Sequence, residues 1–65
     1  MEIALFRRTR TGNVYIIRNE SGAVIGRVEW VMAGDNVGVH VYSHDAKYKP
    51  ARLRKAFRAA LLQMV

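Results

Sequence analysis

Cysteine is absent from the 65 residues, which excludes disulfides, thiolate zinc sites and cysteine nucleophiles together and leaves a domain held by packing alone. A reducing cytoplasm is the expected home. Proline occurs once, at Pro50, and long apolar runs are missing. The longest are a few residues, too short for a signal-peptide core or a membrane span, and in "MEIALFRRTRTG" the charges follow the apolar residues. Neither export nor membrane association is expected. Acids are scarce, with five Asp and Glu against eleven Lys and Arg. The last acid, Asp45, precedes a C-terminal stretch, "KYKPARLRKAFRAALLQMV", that carries Lys47, Lys49, Arg52, Arg54, Lys55 and Arg58.

A chain this short buries only about 60% of the surface its unfolded form exposes, so residues 1–65 read as one small domain with no room for a deep active-site cavity. Half of the residues are apolar, the composition of a folded domain. So small a core gives modest stability unless the protein forms a homodimer. The net charge of +6 sets a positive field over much of the surface and makes polyanions the natural partners, although net charge also serves solubility.

Four segments alternate or run apolar, "EIALFRR", "NVYIIRN", "AVIGRVEWVM" and "VGVHVYS", and each reads as a strand. The connections "TRTGN", "ESG" and "AGDN" are short and place Gly12, Gly22 and Gly34 where hairpins need positive backbone angles. Short connections force antiparallel neighbours, so a four-stranded meander is the economical topology. The period then changes. Leu53, Ala56, Phe57, Ala60, Leu61 and Met64 recur at helical spacing, Pro50 suits the first helical position, and the pattern predicts a helix over 50–64. The fold class is α+β, a four-stranded antiparallel β-meander with one C-terminal α-helix packed on one face.

Alternation assigns Ile3, Leu5, Val14, Ile16, Val28, Trp30, Val37, Val39 and Val41 to the face beneath the helix, because this set is nearly free of charge. Phe6, Tyr15, Ile17, Arg27, Glu29, His40 and Tyr42 then fall on the open face. Trp30, Met32 and Met64 read as packing residues.

With the apolar stripe turned inward, Arg52, Arg54, Lys55 and Arg58 project from the helix. Arg54 and Arg58, and Lys55 and Arg58, are like-charged neighbours, each costing a few tenths of a kcal/mol with no acid in the helix to offset them. Cations near the helix start also oppose the macrodipole. Lys47, Lys49 and Arg52 flank that start, where backbone N–H groups favour phosphate or carboxylate. This basic set is the first candidate binding surface, set against the simpler reading of a solvated basic face.

A secondary candidate surface is Tyr15, Arg27, His40 and Tyr42 on the open face, where rings and a cation together form the kind of platform on which unpaired bases stack. Tyrosines are also ordinary cross-strand partners. His40, His44 and Asp45 lack the spacing of a metal or acid–base site, because a four-residue interval aligns side chains on a helix and here falls on a strand end and a loop.

From Val14 to Met64, "VYIIRNESGAVIGRVEW…VGVHVY…KYKPARLRKAFRAALLQM" resembles the later part of a double-stranded-RNA-binding domain. That family has a helix ahead of its strands, where this chain has a strand. The resemblance implies that Lys47, Lys49 and Arg52 contact phosphates across a groove. "ESGAVIG", followed by a strand and a helix, also looks like the central hairpin of the N-acetyltransferase superfamily. The acyl-CoA loop of that family is glycine-rich at the helix start, and "AKYKPAR" has no glycine, so this second resemblance implies neither cofactor nor catalytic residues.

No motif names a reaction. The expectation is a non-enzymatic binding module without cofactor or metal, whose partner is nucleic acid, RNA or DNA. The alternative is a protein-binding regulator or inhibitor, of the kind phages and mobile elements encode, docking its basic helix on an acidic protein surface.

Overall fold

The computed structural model describes residues 1–34 and 36–64, without the side chains of Ala33, Asn36, Val37 and Met64. Four strands, β1 (Glu2–Thr9), β2 (Gly12–Arg18), β3 (Val24–Ala33) and β4 (Asn36–Ser43), are followed by one helix, α1 (Pro50–Met64). The strands form an antiparallel sheet in chain order, the α+β meander that the glycine-bearing connections predict. No helix among the described residues is long and apolar enough to cross a membrane.

The hairpin between β2 and β3 is built by Asn19. Its Oδ1 accepts hydrogen bonds from the Ser21 N–H at 3.0 Å, the Ser21 hydroxyl at 2.7 Å and the Ala23 N–H at 3.1 Å. An Asn side chain that bonds the backbone two residues ahead substitutes for a turn of main chain. Gly22 follows with φ +88°, a conformation that excludes most side chains. Gly34 also has positive φ, whereas Gly12 does not. Gly12 instead lies so close to the Trp30 carbonyl that a side chain there would collide with it.

Immediately after the turn the ladder slips by one residue, pairing Arg18 with Val24 and Ile17 with Gly26. A slip of this kind is a bulge, and it leaves one residue without a cross-strand partner. That residue, Ile25, is only 1% exposed, and its carbonyl accepts the His44 N–H at 2.8 Å.

The register corrects the sequence assignment of faces in β2. Ile17 pairs with Gly26 and Tyr15 with Val28, and cross-strand partners share a face. Ile17 and Tyr15 therefore lie beneath α1, while Val14 and Ile16 lie on the open face. All four positions are apolar, so alternation alone did not distinguish the two phases, and the turn with its bulge chose between them. In β3 and β4 the assignment stands, with Val28, Trp30, Val39 and Val41 in or against the core. The side chain of Val37 lies outside the described residues.

The core consists of Ile17, Ile25, Val28, Leu53 and Phe57, with Ile3, Tyr15, Trp30, Val39, Val41, Tyr48 and Leu61 packed around it. Phe57 joins the layers: its ring centroid is 5.0 Å from that of Tyr15 and 6.2 Å from that of Trp30, tilted and edge-on respectively. Gly26 lets the helix approach, since a Cβ there would come within 2.6 Å of Leu53 Cδ1.

A helix is about 10 Å across and strands are spaced about 4.8 Å apart, so one helix covers roughly two of four strands. Here α1 lies against β4 and β3. On the uncovered side Leu5 remains 44% exposed, although its pairing with Tyr15 puts it on the expected face. Met32, read as a packing residue, is exposed as well.

Candidate nucleic-acid interface

The lead-in to α1 is fixed by two short polar side chains. The Ser43 hydroxyl, placed at the end of β4, has the Asp45 and Tyr48 carbonyls as the two acceptors within reach of its single proton. The Asp45 carboxylate accepts the Lys47 N–H at 2.9 Å through Oδ1, and its carbonyl accepts the Tyr48 N–H at 3.0 Å. Asp45 is thus spent on the backbone of its own turn, and the loop holds Lys47 and Lys49 exposed on either side of Tyr48.

The Lys49 carbonyl accepts the N–H groups of Arg52 and Leu53 at 2.9 and 3.2 Å, which opens α1 with Pro50 at its first position. A proline there costs nothing, because its missing N–H would have been unpaired in any case. No acid occupies the first turn, where the macrodipole favours one.

Burial of Leu53 and Phe57 fixes the rotation of the helix, and Arg52, Arg54, Lys55 and Arg58 are all exposed as a result. The structure distributes them over three directions. Arg54 and Arg58, one turn apart, lie on the flank toward β4, where Arg54 Nη2 donates to the Val39 carbonyl at 3.4 Å and both arginines border a shallow groove floored by Trp30, Val39 and Phe57. Lys55 is on the back of the helix. Arg52 is on the opposite flank, its guanidinium 5.0 Å from the centre of the Tyr48 ring, a contact worth about 0.5–1 kcal/mol at an exposed site. No acid stands within ion-pair distance of any of them among the described residues.

The secondary candidate surface is divided by the fold. Arg27 and Tyr42 are cross-strand partners on the open face, with the guanidinium 4.4 Å above the ring centre. Arg27 also faces Glu29, Nε to Oε1 3.4 Å. That is an electrostatic contact only, since Arg27 Nε has no hydrogen-bond partner. His40 is opposite Glu29 and exposed. Tyr15 is removed from this group, because the β2 register turns it under α1 onto Phe57, with Asn13 Nδ2 3.5 Å from its hydroxyl. An aromatic platform on the open face is thereby reduced to Tyr42, already stacked on Arg27, and to Phe6 at the far edge, 65% exposed. The described residues contain no group of three or more His, Asp and Glu placed to hold a metal ion.

One basic feature went unweighed at the level of sequence. Arg7, Arg8 and Arg10 follow one another at the end of β1 and in its turn, all exposed. Arg8 pairs with Asn13 and Arg7 with Val14, so the two point to opposite faces. Arg10 borders a cavity of about 500 Å³ between the β1–β2 turn and the end of α1, together with Asn13, Tyr15, Trp30 and Leu61. The run "RRTR" was the available signal. Compared with protein-family models, curated proteins and solved structures, the chain matches none.

Proposed function

We propose that the protein is a small, non-enzymatic cytoplasmic module that binds nucleic acid, RNA or DNA, through phosphate contacts from the basic residues of α1 and its lead-in. The reading rests on Arg52, Arg54, Lys55 and Arg58, exposed along one helix with no neighbouring acid among the described residues. Folding alone does not require them. Each is a cation held near others of the same sign, and the first turn carries cations where stability favours acids. A phosphate chain supplies the missing negative charge to the side of the helix that faces it, and Arg54 and Arg58, one turn apart on the same flank, are spaced along such a line. Phosphate contacts of this kind hold a nucleic acid in register without reading its sequence.

The likeness to double-stranded-RNA-binding domains supports duplex RNA among the ligands, with Lys47, Lys49 and Arg52 across a groove. The strand β1, however, replaces that family's first helix, so only the α1 end of such a surface is available here.

The test is a binding series with duplex RNA, duplex DNA and single strands at increasing salt, using the wild type and the Arg54→Glu/Arg58→Glu double variant. Four phosphate contacts give a slope of about −3.6 in log K against log salt on duplex DNA, or roughly a hundredfold loss between 50 and 200 mM. The double variant should lose most of the affinity while melting near the wild type. Affinity that holds at high salt, or that survives the charge reversal, refutes the reading and favours an acidic protein partner.

A further inference from the structure

The β1–β2 turn is tied to β3, because the Thr11 carbonyl accepts the Met32 N–H and Gly12 packs against the Trp30 carbonyl. The cavity of about 500 Å³ between this turn and the end of α1 is within the range of ligand sites, about 300–1,000 Å³. Its apolar walls are Tyr15, Trp30, Met32 and Leu61. Folding leaves them unfinished, since Met32 is 57% exposed and the other three are only partly covered. Its polar groups include Arg10 and Asn13, the latter the cross-strand partner of Trp30. The Asn13 amide is spent only on a contact of 3.5 Å to the Tyr15 hydroxyl, at the limit of hydrogen bonding. No acid is among the described lining residues. Ring walls, an amide and a cation together suit a planar group with hydrogen-bonding edges that is joined to an anion, which describes a nucleotide.

Continuity decides its source. Trp30 and Leu61 also line the groove that Arg54 and Arg58 border, so a chain whose phosphates lie on those arginines passes directly beside the cavity. We propose that the cavity holds one unpaired base of the bound nucleic acid against Tyr15 and Trp30, with the flanking phosphates on Arg10 at one side and on Arg54 and Arg58 at the other. The inference rests on the nucleic-acid reading and narrows its substrate class, because phosphate contacts accept a fully paired duplex whereas a cavity admits a base only once it has left the stack. Asn pairs by two hydrogen bonds with adenine, so adenine is the preferred base.

The test compares three duplexes, each made in RNA and in DNA: one fully paired, one with a single unpaired adenine, and one with an abasic residue at that position. Fluorescence anisotropy of the labelled duplex gives affinity. Trp30 is the only tryptophan, so its emission reports on the cavity. The unpaired adenine should bind about tenfold tighter than either of the other two, equivalent to about 1.4 kcal/mol, and should change Trp30 emission beyond any change they produce. Arg10→Gln and Met32→Glu, both at exposed side chains, should remove most of that preference with an unchanged circular dichroism spectrum. Equal affinity for the three duplexes, or emission indifferent to the adenine, overturns the proposal while phosphate binding stands. A preference that survives both substitutions places the base elsewhere and overturns it as well. Absence of binding to every duplex overturns this proposal together with the reading on which it rests.

Discussion

Replacing Ile17 by alanine should cost far more than the same change at Ile16, one residue earlier in a strand that is apolar at both positions. Ile17 is 0% exposed and lies in the cluster with Leu53 and Phe57, so its truncation loses the transfer energy of the removed carbons and leaves a cavity, together about 2–5 kcal/mol. At about 0.05–0.15 kcal/mol per residue the whole domain is stable by about 3–10 kcal/mol. The Ile17 variant therefore loses between a fifth and all of its stability. Ile16 lies on the open face between Ala4 and Arg27, is only partly covered, and has no layer above it to leave a void. Its truncation should cost about 1 kcal/mol or less. Urea unfolding followed by far-UV circular dichroism measures both. With m near 1 kcal/mol/M, the low end for small proteins, the midpoint falls by about 2 M or more for Ile17→Ala and by less than about 1 M for Ile16→Ala. Ile17→Val, at about 0.5–1.5 kcal/mol, provides a folded reference if the alanine variant is unfolded in water. A larger midpoint shift at Ile16 than at Ile17 would refute the register and, with it, the position of Tyr15 beneath the helix.

Phe57→Ala should destabilise by about 3–5 kcal/mol, because the ring touches both Tyr15 and Trp30, whereas Leu62→Ala, at a side chain 73% exposed, should stay within about 0.5 kcal/mol of the wild type; thermal melts of the pair check this. Gly26→Val should cost about 1–3 kcal/mol through overpacking, since its Cβ would meet Leu53 Cδ1 at 2.6 Å and the Tyr42 carbonyl, a backbone atom of the β3–β4 ladder, at 2.7 Å; an unchanged melting temperature would contradict the close helix–sheet approach. Asn19→Ala should cost about 0.5–1.5 kcal/mol, because the Ser21 and Ala23 N–H groups lose their acceptor but stay open to water, and hydrogen exchange should accelerate first at those two amides.

The elements were legible in the sequence because their signals are local. Glycine-bearing connections of a few residues punctuate the strands, the change from alternation to the Leu53, Phe57, Leu61 spacing marks the helix, and Pro50 marks its start. What was not legible depends on pairs of elements. In "NVYIIR" four successive apolar residues carry no phase, and the phase is set two steps away, by the hydrogen bonds of Asn19 and the bulge at Ile25. Likewise the exposure of Leu5 is not a property of β1. It follows from where a helix about two strands wide settles on a sheet of four, and Gly26 opposite Leu53 settles that on the β3–β4 side. Of the candidate site, the exposure of Lys47, Lys49, Arg52, Arg54, Lys55 and Arg58 was predictable from the buried stripe alone. Their spread around the helix required its rotation, and the neighbouring arginines of β1 required the sheet.

The register of β2 bears on function as well as on packing. With Tyr15 on the open face, that face would offer two tyrosines beside Arg27, enough for a base-stacking platform. With Tyr15 beneath α1, its ring contributes to the core instead, and Tyr42 is already engaged by Arg27, whose charge is partly answered by Glu29. A base arriving there would have to displace one favourable contact to make another, so the net gain is smaller than the roughly 1–3 kcal/mol that a free ring contributes. The cations of α1 face no such exchange. Arg54 would give up a long, exposed hydrogen bond to the Val39 carbonyl and Arg52 a weak contact with Tyr48, while Lys55 and Arg58 would give up only water. Charge that is unanswered within the fold keeps most of its interaction energy for a partner. On that ground the helix, rather than the sheet, is the surface at which the proposed polyanion binding would have the greater gain.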